Sequence, residues 1–248
     1  MSRFWGQSSL VEPGCYDIEL FKSLKGRPLS LQLRSLYAIG CHNFEEKALI
    51  DEIFPGLESI VLFEPLPGPQ ENLNAIAAMD PRVKIIRCAI GANDGTAEFH
   101  VTDNDGESSS LLKLGKHKDV FPWVAEKSSI NVEVRRLSSA VLEQHLPAPD
   151  ILIIDVQGAE YEVLLGIDPE LLAGVRLIYT EVSIEPLYEG GRPLADIEAL
   201  LSSQFVNAGF APLLPNALMH GNAVFVKKAD RELILNSGIL GKLRSWAS

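Results

Sequence analysis

Ile151-Leu152-Ile153-Ile154-Asp155-Val156-Gln157-Gly158-Ala159-Glu160 reads as a buried strand, a polar turn and the start of a helix. Four aliphatic residues, three of them β-branched, form a run too short for a helix and without the alternation of a half-wet strand. Apolar residues then recur at three- and four-residue spacing over 159–172, the period of an amphipathic helix. The same unit repeats on both sides. Aliphatic runs at 36–39, 59–63, 83–86 and 175–179 alternate with helical patterns at 45–54, 70–79 and 194–209. Such alternation specifies an α/β domain built on a mostly parallel sheet. Asp80-Pro81 closes one helix because Pro cannot continue it, and Asn207-Ala208-Gly209 is expected to stop the last.

Residues 96–134 depart from this rhythm. Extended runs at 96–101 and 130–134 flank a polar tract at 103–110, which predicts an insertion after the third strand. Long connections in compact domains often form lids or binding loops, so acceptor specificity is expected there. Residues 211–228 read as two strands joined by 216–222, an antiparallel hairpin that ends the sheet. The expected division is an N-terminal extension packing on the domain (1–35), the domain (36–228) and an amphipathic tail (229–248). In the tail Leu235, Ile239, Leu243 and Trp246 share one helical face, which suits docking on the parent domain and leaves a homodimer or a membrane surface open.

The chain has 248 residues, enough for one sizeable core, and no segment holds the roughly 18 consecutive apolar residues of a transmembrane span. Residues 1–10 lack the apolar stretch of a secretory signal, so a cytoplasmic protein is expected. Cys15, Cys41 and Cys88 form no C-x-x-C pair, which argues against a disulfide framework and a zinc site. With 22 basic against 33 acidic residues, a net charge of -11 would repel a phosphate backbone. No nucleic-acid partner is expected.

Ligands of open parallel sheets bind beyond the carboxyl ends of the strands, and four of these ends are polar here. After the first strand comes Gly40-Cys41-His42-Asn43-Phe44-Glu45-Glu46, where Gly40 permits a tight turn and close approach of a ligand. The second strand ends in Phe63-Glu64-Pro65, an acid placed to accept hydrogen bonds from both hydroxyls of a ribose. Asp155 and Glu181 close two neighbouring strands. Such a pair could orient a cationic ligand, hold an acceptor hydroxyl or act as general base, while Asp155 could equally cap the following helix. Asp155, Glu160, Glu181 and His117 have no spacing diagnostic of a metal site, and none is expected. His100 and His145 are read as isolated on surface elements, and Cys41 as a packing residue.

Together these motifs resemble the FkbM-type methyltransferase family. The resemblance rests on Phe63-Glu64-Pro65, on 154–160, on Thr180-Glu181-Val182-Ser183 with Tyr188-Glu189-Gly190, and on Asn222-Ala223-Val224-Phe225-Val226, in family order. Ile39 to Glu46 is similar to a subgroup whose first loop reads I-G-A-H-x-G-E-E, and Glu107 to Leu111, with His117 and Phe121-Pro122, to that subgroup's insertion. The family implies a Rossmann-like class I fold, S-adenosylmethionine as cofactor, and methyl transfer to an oxygen of a small-molecule or glycan acceptor. It places Gly40, Cys41, His42, Glu45, Glu64, Pro65, Ala89, Ser109, Asp155 and Gln157 at the cofactor. Asp155, His117 and Glu181 become the catalytic candidates. Two positions depart from the pattern. Ala38 stands where most class I methyltransferases carry an acid near the methionine amine, and Phe44 stands at the subgroup's glycine, where its ring would narrow the cofactor entrance. Two other readings stay open: an inactive binding or assembly module on the same fold, and a nicotinamide oxidoreductase, disfavoured because no G-x-G-x-x-G follows the first strand.

Overall fold

The structure, a computed structural model, describes residues 16–213 and 219–235. In chain order the elements are α1 (Tyr16–Lys22), β1 (Ser35–Ile39), α2 (Lys47–Ile53), β2 (Ser59–Phe63), α3 (Gln70–Met79), β3 (Val83–Ile86), β4 (Ala89–Ile90), β5 (Gly95–Thr102), α4 (His117–Val120) and β6 (Glu126–Arg135). There follow α5 (Leu137–Glu143), β7 (Ile151–Ile154), α6 (Glu160–Leu165), α7 (Pro169–Gly174), β8 (Leu177–Ser183), α8 (Leu194–Leu201), β9 (Phe205–Pro212), β10 (His220–Lys227) and α9 (Glu232–Leu235).

Seven strands form the central sheet in the order β3-β2-β1-β7-β8-β10-β9. The first five are parallel, and β10 runs antiparallel to both β8 and β9. Strand order reverses between β1 and β7, the place where such sheets open a ligand crevice. Alternate side chains face opposite layers: Leu36, Ala38, Ile60, Leu62, Ile151 and Ile153 join one core with α1, α2 and α3. Tyr37, Ile39, Val61, Phe63, Leu152 and Ile154 join the other with α5, α6 and α8. Both faces are covered, hence the unbroken aliphatic runs. The insertion adds a small sheet, β4-β6-β5, with β5 and β6 antiparallel. In the N-terminal segment Leu20, Phe21, Leu24, Leu29 and Leu33 are buried in the first core.

Four expectations shift. The helix expected over 159–172 breaks into α6 and α7, because Gly166 lies against the Gly91 carbonyl and Pro169 starts a new turn. The helix expected to reach Gly209 ends at Leu201, and Asn207-Ala208-Gly209 sits inside β9. There Asn207 pairs with Phe225 and Gly209 with Val224, so Ala208 is the extra residue of a β-bulge, and the Asn207 side chain accepts the Gly209 N–H at 2.9 Å. The stop signal thus marks a bulge. β8 extends to Ser183 rather than 179, since antiparallel β10 keeps pairing with it beyond the ends of its parallel neighbours. The expected 216–222 connection shifts toward the N-terminus by three residues, as β9 ends at Pro212 and β10 begins at His220. Most of the tail lies outside the described residues, as do Cys15 and Trp246. Among the described residues no helix is long and apolar enough to cross a membrane.

Candidate active site

A cleft opens over the ends of β1, β2, β7 and β8, with the insertion as its far wall. Gly40, Cys41, His42, Glu64, Pro65, Ala89, Ser109, Asp155 and Gln157 line it, with Glu181 at the β8 side. One expected member is missing: Glu45 lies off the wall, and Glu46 is there instead. Gly40 has φ +77, and a Cβ on it would stand 1.9 Å from the Asp155 carbonyl oxygen. Only a glycine lets the ends of β1 and β7 close so tightly.

Glu64 is buried, and both carboxylate oxygens are pinned by main-chain donors: Oε2 accepts His42 N–H and Oε1 accepts Leu66 N–H, each at 2.8 Å. Burial raises its pKa, although these N–H groups and His42 pull the other way. Each oxygen keeps a lone pair for a ligand. Around it Leu66, Cys88, Ala89 and Ile90 give an apolar wall. The Cys41 thiol is pushed far up by burial and by Glu64 and Glu46, so it stays neutral and packs. Glu46 is pushed up to about 7, by burial first and by Glu45 beside it.

At the other end a hydrogen-bond network joins three carboxylates. Gln157 Nε2 donates to Asp155 Oδ1 at 2.6 Å and to Glu181 Oε2 at 2.9 Å. Tyr188 Oη donates to Gln157 Oε1 at 2.7 Å. Glu160 Oε1 accepts the N–H groups of Val156 and Gly158, capping the turn. Asp155 makes no such cap; it faces the cleft. Glu181 Oε1 lies 3.1 Å from His220 Nε2. Burial and then the Glu181 charge drive Asp155 well above the ordinary carboxylate range. Burial is the largest influence on Glu181 and raises it, but the charge and hydrogen bond of His220, with weaker contributions including His117, turn the net shift downward. Asp155 therefore holds its proton to higher pH than Glu181. Asp155, Glu160 and Glu181 bring carboxylate oxygens within 4.8 Å of one another, the group of potential cation ligands found among the described residues.

His117 does not reach the cleft. Its N–H bonds Leu187 O, and its ring packs against Phe121 and Tyr188 in the apolar cluster of Leu114, Phe121, Val124 and Leu187. Burial lowers its pKa to about 4, so it is neutral and wrongly placed for a base on the wall. The insertion's hydroxyls already bond within the protein: Ser109 Oγ accepts Thr102 N–H, Ser110 Oγ donates to Val156 O, and Ser108 Oγ accepts from Asn104. Nor is His100 a surface residue, being buried against Glu126 between β5 and β6. Phe44 has φ 52 but does not narrow the entrance, since its ring is buried in the first core with Ile50 and Phe54, away from the cleft wall. Sequence reasoning missed Glu46, which sits in the quoted loop, and His220, which no motif marked. The antiparallel pairing of β10 with β8 brings His220 to Glu181.

Residues 53–210 match the methyltransferase FkbM domain. The chain belongs to the FkbM methyltransferase family. It is 33% identical over 171 residues to the 2-O-methyltransferase NoeI of Sinorhizobium fredii, covering 66% of this chain and 70% of NoeI. It is 31% identical over 168 residues to the methyltransferase sdnD of Sordaria araneosa, covering 58% of this chain and 63% of sdnD. The FkbM methyltransferase structure from Methylobacillus flagellatus superposes with a TM-score of 0.53 at 13% identity, over 84% of this chain and 50% of that one. At that identity the likeness concerns the fold alone: a Rossmann-like class I methyltransferase sheet with its C-terminal antiparallel hairpin. The matched FkbM segment begins within α2 and ends within β9, so it carries Glu64, Asp155 and Glu181, while Gly40 and His220 flank it.

Proposed function

We propose that this chain binds S-adenosylmethionine across the ends of β1 and β2 and methylates a hydroxyl oxygen of a sugar or secondary-metabolite acceptor. The observation that carries the reading is Glu64, a buried carboxylate fixed by two main-chain N–H groups with lone pairs left for a ribose diol. Gly40 lines the methionine end, Ala89 and Ile90 offer an apolar seat for adenine, and Glu46 supplies an acid that Ala38 cannot. The residues present suit the cofactor. The name of NoeI, a 2-O-methyltransferase, favours oxygen as the acceptor atom.

When bound, S-adenosylmethionine would supply a sulfonium-held methyl group for the acceptor oxygen's lone pair, the S–CH3 electrons staying on sulfur. The chain's own part is to align the two, exclude water and take the hydroxyl proton. Glu181, ionised beside His220, is suited to accept that proton, and Asp155, holding one already, to donate a hydrogen bond at the same place.

Calorimetry with S-adenosylmethionine on the wild type and on Glu64→Gln tests this. The wild type should bind, and the variant should lose about 1.5 to 3 kcal/mol, the scale of charge-assisted hydrogen bonds. Incubation with cofactor and hydroxylated glycans should release S-adenosylhomocysteine. No binding by the folded wild type sinks the reading.

A further inference from the structure

We propose that Tyr188 and Gln157 are positioning residues for methyl transfer: Tyr188, tied to the insertion, fixes the Gln157 amide so that its two protons hold Asp155 and Glu181 apart and aligned on the cleft. The proposal rests on the methyltransferase reading above.

The amide has one sensible orientation. Its carbonyl oxygen takes the Tyr188 proton at 2.7 Å, and its NH2 spends both protons on carboxylates, at 2.6 Å on Asp155 and 2.9 Å on Glu181. Turned over, the carbonyl would face two carboxylates and nothing would separate them. Tyr188 Oη has a second acceptor, Ser108 O at 3.1 Å, and a single proton to give, so the shorter contact to Gln157 holds it. Burial and then the charges of Glu181, Asp155 and Glu160 keep this phenol protonated and therefore a donor.

The backbone beneath is built for this bracket. Gln157 has φ 57 and Gly158 φ 99, and a Cβ on Gly158 would stand 2.6 Å from Tyr188 Cδ2, so the ring lies directly on the turn. A left-handed Gln costs roughly 1 kcal/mol and persists only where its surroundings over-determine it. Tyr188 is fastened to the insertion through the main chain on either side of it. Leu114 pairs with it as an antiparallel bridge, Gly115 and His117 donate to Leu187 O, and Glu189 donates to Lys113 O. Order in the insertion thus reaches the carboxylates through one hydroxyl and one amide. The charged and titratable groups facing the pair are Glu160 on α6, His220 on β10, and His117 and Tyr188 from the insertion side.

The test uses full-length Tyr188→Phe, Gln157→Leu and Gln157→Glu, with ¹³C-carboxyl NMR titration of Asp155 (its resonance assigned through Asp155→Asn) and calorimetry with S-adenosylmethionine. Losing the amide donor should move the Asp155 midpoint upward by about one pH unit in Gln157→Leu, further in Gln157→Glu and less in Tyr188→Phe. In Tyr188→Phe, which lies off the cleft wall, cofactor affinity should stay within about threefold, and turnover with an accepted glycan should fall by up to about 10²-fold without a matching change in KM. A midpoint unmoved in folded Tyr188→Phe and Gln157→Leu overturns the bracket, whatever the cofactor does. A wild type that binds no cofactor overturns the methyltransferase reading instead, and the NMR titration still decides the bracket. If Tyr188→Phe fails to fold, the two Gln157 variants carry the decision.

Discussion

The Cα of Gly40 faces the main-chain carbonyl of Asp155 so closely that a methyl group placed on it would come within 1.9 Å of the oxygen. Asp155 N–H in turn donates to Ile39 O at 3.0 Å, locking β1 to β7 where strand order reverses. Gly40→Ala must therefore separate the two strand ends that build the cleft. Gly26 provides the control, since it has a similar φ of +72 and nothing within 4 Å of an added Cβ. Gly26→Ala should cost only the left-handed penalty, about 1 to 2 kcal/mol. Gly40→Ala should cost clearly more in chemical denaturation and abolish cofactor binding. Equal stability of the two variants would mean that the strand ends yield easily.

Glu46 sets a pH dependence. Its pKa, pushed up to about 7 by burial and by Glu45, leaves the free protein part-protonated near neutrality. Binding a cationic amine or sulfonium beside it favours the ionised form, so binding should release a proton. Affinity for S-adenosylmethionine should rise as pH increases through 7 and level off above it, approaching a tenfold gain per unit on the acid side. Calorimetry in two buffers of different ionisation enthalpy reads the proton directly. Glu46→Gln should bind more weakly at pH 8 and show no proton release.

Phe44 separates packing from obstruction. The ring is buried in the first core, and Phe44→Gly would empty its site at a cost of about 3 kcal/mol or more, offset by roughly 1 kcal/mol from the relieved φ. The melting temperature should drop while cofactor affinity holds within about twofold. Tighter binding in Phe44→Gly would return the ring to the cofactor entrance.

The sheet was legible because its central strands are buried on both faces, so the aliphatic runs 59–63 and 151–154 coincide with β2 and β7; 83–86 coincides with the edge strand β3, where Lys84 is exposed. Glu64 and Asp155 were legible for the same reason, since an acid following an aliphatic run marks a strand's carboxyl end. What escaped was non-local. Whether Asn207-Ala208-Gly209 stops a helix or bulges a strand depends on β10 lying alongside, and His220 gains its meaning only from pairing opposite β8. His117 misled in the converse way: its motif is polar, yet folding turns the ring into an apolar cluster. Glu45 and Glu46 are adjacent, and only the turn at Phe44 decides which carboxylate meets the cleft.

Glu160 carries the remaining pH signature, in stability rather than binding. Burial, and then the charge of Glu181, push its pKa up to about 8, against backbone N–H bonds that favour the ionised form. The native state thus holds a proton that the unfolded chain, with a pKa near 4.5, has released. Between about pH 4.5 and 8 the native state binds more protons, so this group lowers stability as pH rises. Glu160→Gln keeps an oxygen to accept the Val156 and Gly158 N–H groups and removes the charge that Glu181 opposes. The variant should melt above the wild type at pH 8 and near it at pH 4.5, in thermal scans across that range. A lower melting temperature at pH 8 would mean that the ionised carboxylate, held by its two main-chain donors, is the form the fold requires.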